Sequence, residues 1–525
     1  MWGIMDKFDN LHGEKHDVNT DSIGIDNDGN ITPSRPDELF KTPSEMGRDE
    51  IASLLAQKTM SPSVVSGFVV IFELLLIMVS GALSIAFVHE GPLTSLGFPL
   101  SVLFSVTVLF SLLVHALHLD TLRVIRDLPQ QLMRIVAAWM VCFSGVILSS
   151  QMLPELNLFD TRWVTPWFLT GFALVFIFRS FVGFVVKGWT EAGLLERRAI
   201  IVGGGADAEQ VILGLEREQN NDIRICGIFD DRTDDRSPDI VAGYPKLGTV
   251  PELVEFARSA RLDMLIVSLP LTAGGRVREM LKKLWILPLD IRLSAHTNKM
   301  AFKQRTYSYI GAMPFVKLSE RPISGWRFVR KRIFDIVVSA LMIIALAPLM
   351  IVTAIKIKMD SKGPVFFRQK RHGFNNEEID VWKFRSMYTD MCDPAAKVVV
   401  TKGDPRVTKV GAFIRKTSID ELPQLWNVLK GELSLVGPRP HAVHAHLQDQ
   451  PWNEVVDGYF ARHRVKPGVT GWAQINGWRG EIDNVEKIKK RTDHDLYYIE
   501  NWSLAFDLYI LFKTPFRLMD TKNAY

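Results

Sequence analysis

The chain has 525 residues, 47% of them hydrophobic, and a formal net charge of +4. That length exceeds one ordinary core and calls for roughly two or three folded units plus membrane segments, while the small net charge disfavours a bulk nucleic-acid binder and leaves anion recognition to local basic clusters. Cys142, Cys226 and Cys392 stand too far apart for zinc spacing or a disulfide framework, so no structural metal is implied and the soluble parts read as lying in a reducing compartment.

Residues 1–62 are rich in Asp, Asn, Gly and Ser and lack a long apolar run, the composition of a disordered cytoplasmic tail without a signal peptide. Residues 63–190 then carry four apolar stretches, about Val64 to Val88, Leu96 to Leu119, Leu132 to Leu153 and Val164 to Val186. Each is near the roughly 20 residues that a bilayer-spanning helix needs, which predicts a bundle of four transmembrane helices. The second connection holds Arg123, Arg126 and Arg134 and the exit of the fourth stretch holds Lys187, Arg197 and Arg198, whereas His89 to Ser95 has no cation and the third connection has only Arg162 beside Glu155 and Asp160. Positive charge on the inner side then puts both ends of the bundle in the cytoplasm. Glu73 inside the first stretch reads either as a functional carboxyl or as one buried between helices, protonated or hydrogen-bonded.

Residues 191–318 change character. Ala199 to Val202 reads as a buried strand running into a glycine turn and a helix, Ala208 to Glu218; Ile223 to Phe229 and Met264 to Leu269 add strands alternating with helices. This is the pattern of a Rossmann-like α/β domain. Gly203, Gly205 and Ala208 satisfy G-x-G-x-x-A, and Asp230 or Asp231 loosely fits the ribose position. A nucleotide held at Gly203 and Gly205 and a degenerate, structural domain both remain open.

Residues 327–362 hold the apolar stretch Ile333 to Ile357, with Lys331 and Arg332 before it, Asp335, Ser339 and Pro348 within it, and Lys356, Lys358 and Lys362 at its end. Positive charge at both ends asks for both to be cytoplasmic, and Pro348 can turn the helix back by removing a hydrogen bond. The expectation is a re-entrant membrane helix broken at Ser339 and Pro348; a kinked spanning helix is the other reading.

Residues 363–525 are dense in Arg, Lys, Gly, Pro and Trp and read as a small α-rich catalytic domain that handles an anion. Val365 to Arg371 and Val381 to Arg385 interleave aromatics with cations, including Lys383 and Arg385, as suits phosphate contact or anionic lipid near a membrane surface. In the run Arg415 to Asn427, Ser418 and Glu421 form an S-x-x-E capping box, which predicts a helix beginning at Ser418 with Asp420 and Glu421 in its first turn. The positive end of the helix dipole would help keep both ionised. On spacing alone ordinary capping is the favoured explanation; beside Arg415, however, an ionised Asp is also a competent nucleophile toward a phosphoanhydride. Arg439 in the stiff Gly437-Pro438-Arg439-Pro440 loop, Arg462, Arg464 and the turn-rich run Lys466 to Gly480 supply further cations for non-bridging phosphate oxygens, for which Mg²⁺ is the usual companion.

The ordered set Lys-Arg-x-x-Asp-x-x-x-Ser, Gly-Pro-Val-Phe-Phe-x-Gln-x-Arg, Lys-Phe-Arg-Ser-Met, Asp-Glu-Leu-Pro-Gln-Leu-Trp-Asn, Gly-Pro-Arg-Pro and Pro-Gly-Val-Thr-Gly-Trp-Ala-Gln, over Lys331 to Tyr525, resembles the polyprenyl-phosphate hexose-1-phosphate transferases, also called monotopic phosphoglycosyl transferases. Four spans and a Rossmann-like insert in front resemble the large bacterial members. The resemblance implies that Asp420 is the nucleophile, attacking the β-phosphorus of a UDP-sugar donor to expel UMP and hold an acyl phosphate that a polyprenyl-phosphate lipid then attacks. It implies that Glu421 is the second member of the dyad, with a role in positioning, proton handling or the magnesium site, that Asp420 and Glu421 are candidate Mg²⁺ ligands, and that Arg415, Arg439 and Arg479 contact phosphate. Gly-Trp-Arg-Gly-Glu resembles the subgroup transferring glucose 1-phosphate to undecaprenyl phosphate at the start of exopolysaccharide synthesis, with galactose-transferring relatives close by. The implied place is the bacterial inner membrane with the catalytic domain on the cytoplasmic face; no nucleic acid is expected, and a homo-oligomer stays open.

Two other classes fit the residues less well. A membrane-bound nucleotide-sugar dehydratase or epimerase would use NAD at Gly203 and Gly205, but needs Tyr-x-x-x-Lys in the dinucleotide domain, and here that spacing occurs at Tyr509 and Lys513 in an apolar helix. A membrane scaffold sensing a nucleotide leaves the arginines and Asp420-Glu421 unexplained.

Overall fold

The computed structural model describes residues 59–88, 97–152, 161–217, 222–232, 237–269, 274–295, 307–310, 313–391, 404–441, 446–447, 450–451, 456, 458–478 and 484–519, with Ala52 and Leu55. Most of the predicted tail, Cys392 and Arg479 lie outside the described residues.

The first four long helices are α1 (Pro62–Val88), α2 (Gly97–Ala116), α4 (Leu128–Met152) and α5 (Thr161–Glu191), with the short α3 (Leu122–Arg126) between α2 and α4. Together with a later helix they make five helices long and apolar enough to cross a membrane. They pack around Phe110, Trp139, Phe143, Trp163 and Trp167. Small residues make that possible: a Cβ on Gly81 would come within 2.9 Å of the Trp167 ring and one on Gly171 within 2.9 Å of Trp139. Glu73 is fully buried and paired, its carboxylate accepting from Arg179 at 3.1 and 2.5 Å. Arg179 also donates to Leu119 O at 2.9 Å, so one guanidinium ties α1, α5 and the turn after α2.

Next comes a sheet of β1 (Arg197–Val202), β2 (Ile223–Phe229), β3 (Ile240–Val241), β4 (Tyr244–Gly248), β5 (Met264–Val267), β6 (Asp290–Ser294), β7 (Tyr307–Ile310) and β8 (Met313–Ser319). The strand order is β3-β4-β2-β1-β5-β6-β8-β7. The strands β4, β2, β1, β5 and β6 run parallel, and β3, β8 and β7 join antiparallel at the edges. Parallel strands must be covered on both faces, hence the near-continuous apolar runs of β1 and β5 and the helices α6 (Ala206–Glu216), α7 (Val250–Ser259) and α8 (Gly274–Leu284). The helix after the glycine turn starts at Ala206, two residues before the predicted Ala208.

The fifth apolar helix, α9, runs from Gly325 to Asp360, 36 residues in all. Neither Ser339 nor Pro348 ends it. Proline removes one hydrogen bond to the carbonyl four residues earlier, and the bonds on either side carry the helix through. The Ser339 hydroxyl donates to Asp335 O at 2.5 Å, back-bonding within the helix rather than opening it. At the start of α9, Trp326 Nε1 donates to Ser63 O at 3.1 Å, which sets the beginnings of α1 and α9 side by side.

Both halves of α9 pack on the C-terminal domain. In the first half, Phe334, Val338, Met342 and Ile343 join Leu425, Val428, Leu433 and Tyr498. Lys331 Nζ donates there to Asp507 at 2.8 Å and to Val436 O at 3.0 Å, while Asp335 accepts from Ser434 Oγ at 2.8 Å. In the second half, Met350, Ala354 and Ile357 meet Phe384, Val410 and Ile414. The domain itself is built from the hairpin β9 (Phe366–His372) and β10 (Glu378–Phe384), helices α10 (Lys409–Thr417) and α11 (Gln424–Lys430), and the parallel pair β11 (Ser434–Val436) and β12 (Gly468–Thr470). The short α12 (Trp472–Ile475) and the helices α13 (Val485–Glu500) and α14 (Leu504–Met519) close it.

Candidate active site

The predicted α-helix start at Ser418 is met only by a short 3₁₀ turn with Ser418 at its N-cap position. Thr408 caps α10, accepting from Gly411 N at 2.9 Å, and α10 ends at Ser418, which turns left-handed with φ +59°. A single 3₁₀ turn, Ile419–Glu421, follows, and α11 begins only at Gln424, after Pro423. Ser418 is thus the left-handed C-terminal cap of α10 as well as the N-cap position of the turn, where its side chain makes no capping bond, and the basic Arg415 and Lys416 before it suit the negative end of a helix. Asp420 and Glu421 therefore sit on a single 3₁₀ turn, with far less of a dipole than the predicted helix would supply. What the corner does is present two neighbouring carboxylates on a rigid turn between two packed helices.

Cations reach that corner from separate elements. Lys383 on β10 donates to Glu421 Oε1 at 3.1 Å, and Arg439 donates through both terminal nitrogens, Nη1 to Oε2 at 3.1 Å and Nη2 to Oε1. All three are poorly exposed, with side chains at 17% for Lys383, 12% for Glu421 and 23% for Arg439. Fully buried Asn427 sets this register: its Oδ1 accepts from Trp382 N at 3.0 Å and its Nδ2 donates to Asp380 O at 2.7 Å, fastening α11 to β10 beside Lys383.

Glu421 is therefore fully engaged, and Asp420 is not. Among the described residues Asp420 has no hydrogen-bond partner for its carboxyl. Burial pushes that carboxyl up to about 6; Lys383, Arg415 and Arg439 pull it down, and neighbouring Glu421 pushes it up. Burial likewise lowers Lys383, against the charges of Glu421 and Asp420. Arg371 on β9 joins the site; in sequence it had a place in the basic and aromatic run Val365 to Arg371 and closed the motif Gly-Pro-Val-Phe-Phe-x-Gln-x-Arg, without an individual role. It is pushed down to about 10 by burial and by Arg439, and donates to Pro440 O at 3.2 Å.

Other predicted residues have different posts. Arg415 acts on Asp420 through charge. Arg385, expected at phosphate, is buried and donates to Ser361 O at 2.9 Å, to Lys362 O and to Thr389 Oγ1 at 2.6 Å. It satisfies carbonyls that the end of α9 leaves unpaired. Arg464 is turned to the Rossmann-like domain, donating to Ser319 Oγ and Glu320 O, both at 2.9 Å. Arg462 makes a buried pair with Asp495 at 2.6 Å rather than offering its charge to the corner.

In the front domain, Gly203 and Gly205 take left-handed φ of +102° and +80° as a tight turn requires. The turn is nonetheless filled by its own chain. Asp230 Oδ2 accepts from Gly204 N at 2.7 Å, Arg232 donates to Gly204 O at 2.9 Å, and a Cβ on Gly204 would lie 2.8 Å from Ser237 Oγ. The amide and the carbonyl of Gly204 are thus already paired within the chain.

For a metal, no group of three or more His, Cys, Asp or Glu comes together among the described residues. Mg²⁺ does not need one, since it is commonly held by one or two carboxylates plus substrate phosphates and water. Asp420 fits that share; Glu421, both of whose oxygens already accept from Lys383 or Arg439, would have to yield part of that clamp to join it.

A membrane α/β protein that sets two adjacent carboxylates among poorly exposed cations beside a long apolar helix is built as a phosphate-handling membrane enzyme. The sequence profile of the bacterial sugar transferases matches residues 326–521, and that of a CoA-binding domain matches residues 120–295. The chain is 38% identical to the UDP-glucose:undecaprenyl-phosphate glucose-1-phosphate transferase of Escherichia coli K12 over 387 residues, 73% of this chain and 81% of the relative. It is 39% identical to the undecaprenyl-phosphate glucose phosphotransferase of Komagataeibacter xylinus over 367 residues, 68% of this chain and 66% of the relative. A UDP-galactose-lipid carrier transferase of Erwinia amylovora is 29% identical over 410 residues, 73% of this chain and 80% of the relative. The chain belongs to the bacterial sugar transferase family.

Proposed function

We propose that the chain transfers a hexose 1-phosphate, with glucose 1-phosphate from UDP-glucose as the favoured cargo, to undecaprenyl phosphate, releasing UMP. The observation that carries this reading is the division of labour at the corner: Glu421 is clamped by Lys383 and Arg439, while Asp420 beside it has an unengaged carboxyl. In the proposed sequence an Asp420 oxygen attacks the β-phosphorus of the donor, a new O–P bond forms, the anhydride P–O bond breaks and UMP leaves. A phosphate oxygen of the lipid then attacks the same phosphorus, breaks the carboxyl–phosphate bond and returns Asp420 as a carboxylate. Lys383, Arg371, Arg415 and Arg439 neutralise the charge that gathers on the non-bridging oxygens. Mg²⁺, held by Asp420, Glu421 and the donor's phosphates, would add Lewis-acid neutralisation of the same oxygens.

We read α9 as re-entrant, entering and leaving the membrane on the cytoplasmic side of a bacterial inner membrane. Support comes from its packing: both halves lie on one polar domain, and its start sits beside the start of α1. The reaction would be the first membrane step of an exopolysaccharide or capsule. Galactose 1-phosphate is the second reading of the cargo, favoured by the Erwinia amylovora relative. The test is a donor panel of UDP-glucose, UDP-galactose and UDP-N-acetylglucosamine on membranes holding the expressed chain. Turnover to UMP should require undecaprenyl phosphate and magnesium and be fastest with UDP-glucose; turnover without lipid, or full activity in Asp420→Asn, overturns the proposal.

A further inference from the structure

Arg439 clamps Glu421 from a loop rather than from a helix or strand, so something must hold the loop. Its carbonyl accepts a hydrogen bond from Arg462 Nη2 at 2.9 Å. Arg462 belongs to the 3₁₀ helix Tyr459–Arg464 and is only 1% exposed. The same nitrogen reaches Asp495 Oδ2 at 2.6 Å, and Nη1 lies on the His441 ring. Arg371, Arg439 and Arg491 crowd the same region, and Arg491 is pushed down to about 9 by burial and by Arg462. A guanidinium buried there against such repulsion is costly unless its geometry is used. The geometry is one nitrogen, Nη2, bridging a carboxylate and a backbone carbonyl while Nη1 lies on His441; a lysine could copy the bridge but not the second nitrogen.

The 3₁₀ helix is fixed on its other side by the Rossmann-like domain. Besides the bonds of Arg464 to Ser319 and Glu320, its guanidinium lies 5.6 Å over the Trp285 ring, and Arg258 lies 5.6 Å over Phe460. Asn375 Nδ2 donates to Ala257 O at 3.1 Å across the same seam.

We propose that Arg462 is a positioning residue: it holds the Arg439 carbonyl and so keeps the Arg439 guanidinium on Glu421, with Asp495 as counter-charge and the Rossmann-like domain as buttress through Arg464. This rests on the reading of Arg439 as part of the transfer site. A residue acting only through Arg439 loses its effect once Arg439 is gone, whereas a general structural role adds to any other loss.

The experiment uses the full chain in membranes, with two readouts. In the first, a dicarbonyl reagent modifies arginines and mass spectrometry follows Arg439 and Arg332, which is bonded to Val428 O and Leu429 O of α11. Arg462→Gln should speed labelling of Arg439 several-fold and leave Arg332 unchanged; unchanged labelling of Arg439, or faster labelling of both, overturns the proposal. In the second, UMP release is measured in a double-mutant cycle. Arg462→Gln should lower kcat/KM at least about tenfold in the native background and less than about twofold in Arg439→Gln, with Arg462→Lys recovering part of the loss. Equal losses in both backgrounds overturn it. Should Arg462→Gln not fold, Asp495→Asn and Arg464→Ala enter the same two readouts, with smaller losses of the same non-additive kind. The labelling needs no turnover, so faster labelling of Arg439 in a chain that forms no UMP faults the transferase reading and not this one.

Discussion

Two regions of the molecule bring an aspartate, an arginine and a tight turn together, and they end in opposite states. At the glycine turn, Asp230 accepts from Gly204 N, Arg232 N and the Arg232 guanidinium. Burial pushes its carboxyl up, but these hydrogen bonds outweigh burial and hold it below the usual carboxylate range. At the C-terminal corner the hydrogen bonds go to Glu421, and Asp420, half-buried without such partners, is pushed up to about 6 by desolvation. The first arrangement is closed on itself; the second leaves a lone pair for chemistry. A motif is not a site until its donors are counted.

The largest effect that can break this contrast is on transfer itself. Asp420→Asn should abolish turnover, a loss of at least about a thousandfold, because an amide is no nucleophile toward phosphorus. Asp230→Asn should leave kcat/KM within about twofold while lowering the melting temperature of the chain; comparable losses of transfer in the two variants would erase the distinction. Next in size is removal of magnesium with a chelator, which should suppress UMP release by about a hundredfold or more and be reversed by added Mg²⁺.

The titration of Asp420 sharpens the comparison further. Its carboxyl ionises near 6 in the folded chain, above its ordinary value, so between the two values the fold holds a proton that the unfolded chain has lost. Transfer should therefore fall about tenfold per pH unit below 6, while this group's contribution to stability decreases as pH rises through 6. A rate profile flat from pH 5 to 7 would place the reacting group elsewhere. In the bundle, Arg179→Ala leaves Glu73 buried and unpaired and should cost about 3–5 kcal/mol of stability without altering kcat of the folded fraction. Smallest is the effect of nucleotides on the front domain. Coenzyme A or NAD should shift the melting temperature of the native chain by less than about 1 °C, with a larger shift in Asp230→Ala, where Gly204 N is released.

Much of the architecture was legible because it depends on long patterns. The apolar stretches at 64–88, 132–153 and 164–186 fall on α1, α4 and α5 within a few residues, and Ile223 to Phe229 is β2 as read. Single residues were less legible. Ser418 and Glu421 have capping-box spacing, but the αL conformation of Ser418 depends on how α10 and α11 pack, which spacing does not encode. Arg385 and Arg439 look alike in sequence; only the tertiary fold sends one to the end of α9 and the other to Glu421. The burial of Glu73 could be expected, but its partner lies 106 residues away and carried no local signal.

Asp420 is the residue on which the proposed chemistry turns, and a single-turnover trap tests that most directly. Full-length chain in membranes, given UDP-glucose labelled at the β-phosphorus without lipid acceptor, should carry the label on the peptide containing Asp420 and lose it when undecaprenyl phosphate is added. A chain that turns over with no label on that peptide, or an Asp420→Asn chain labelled as fully, would contradict it.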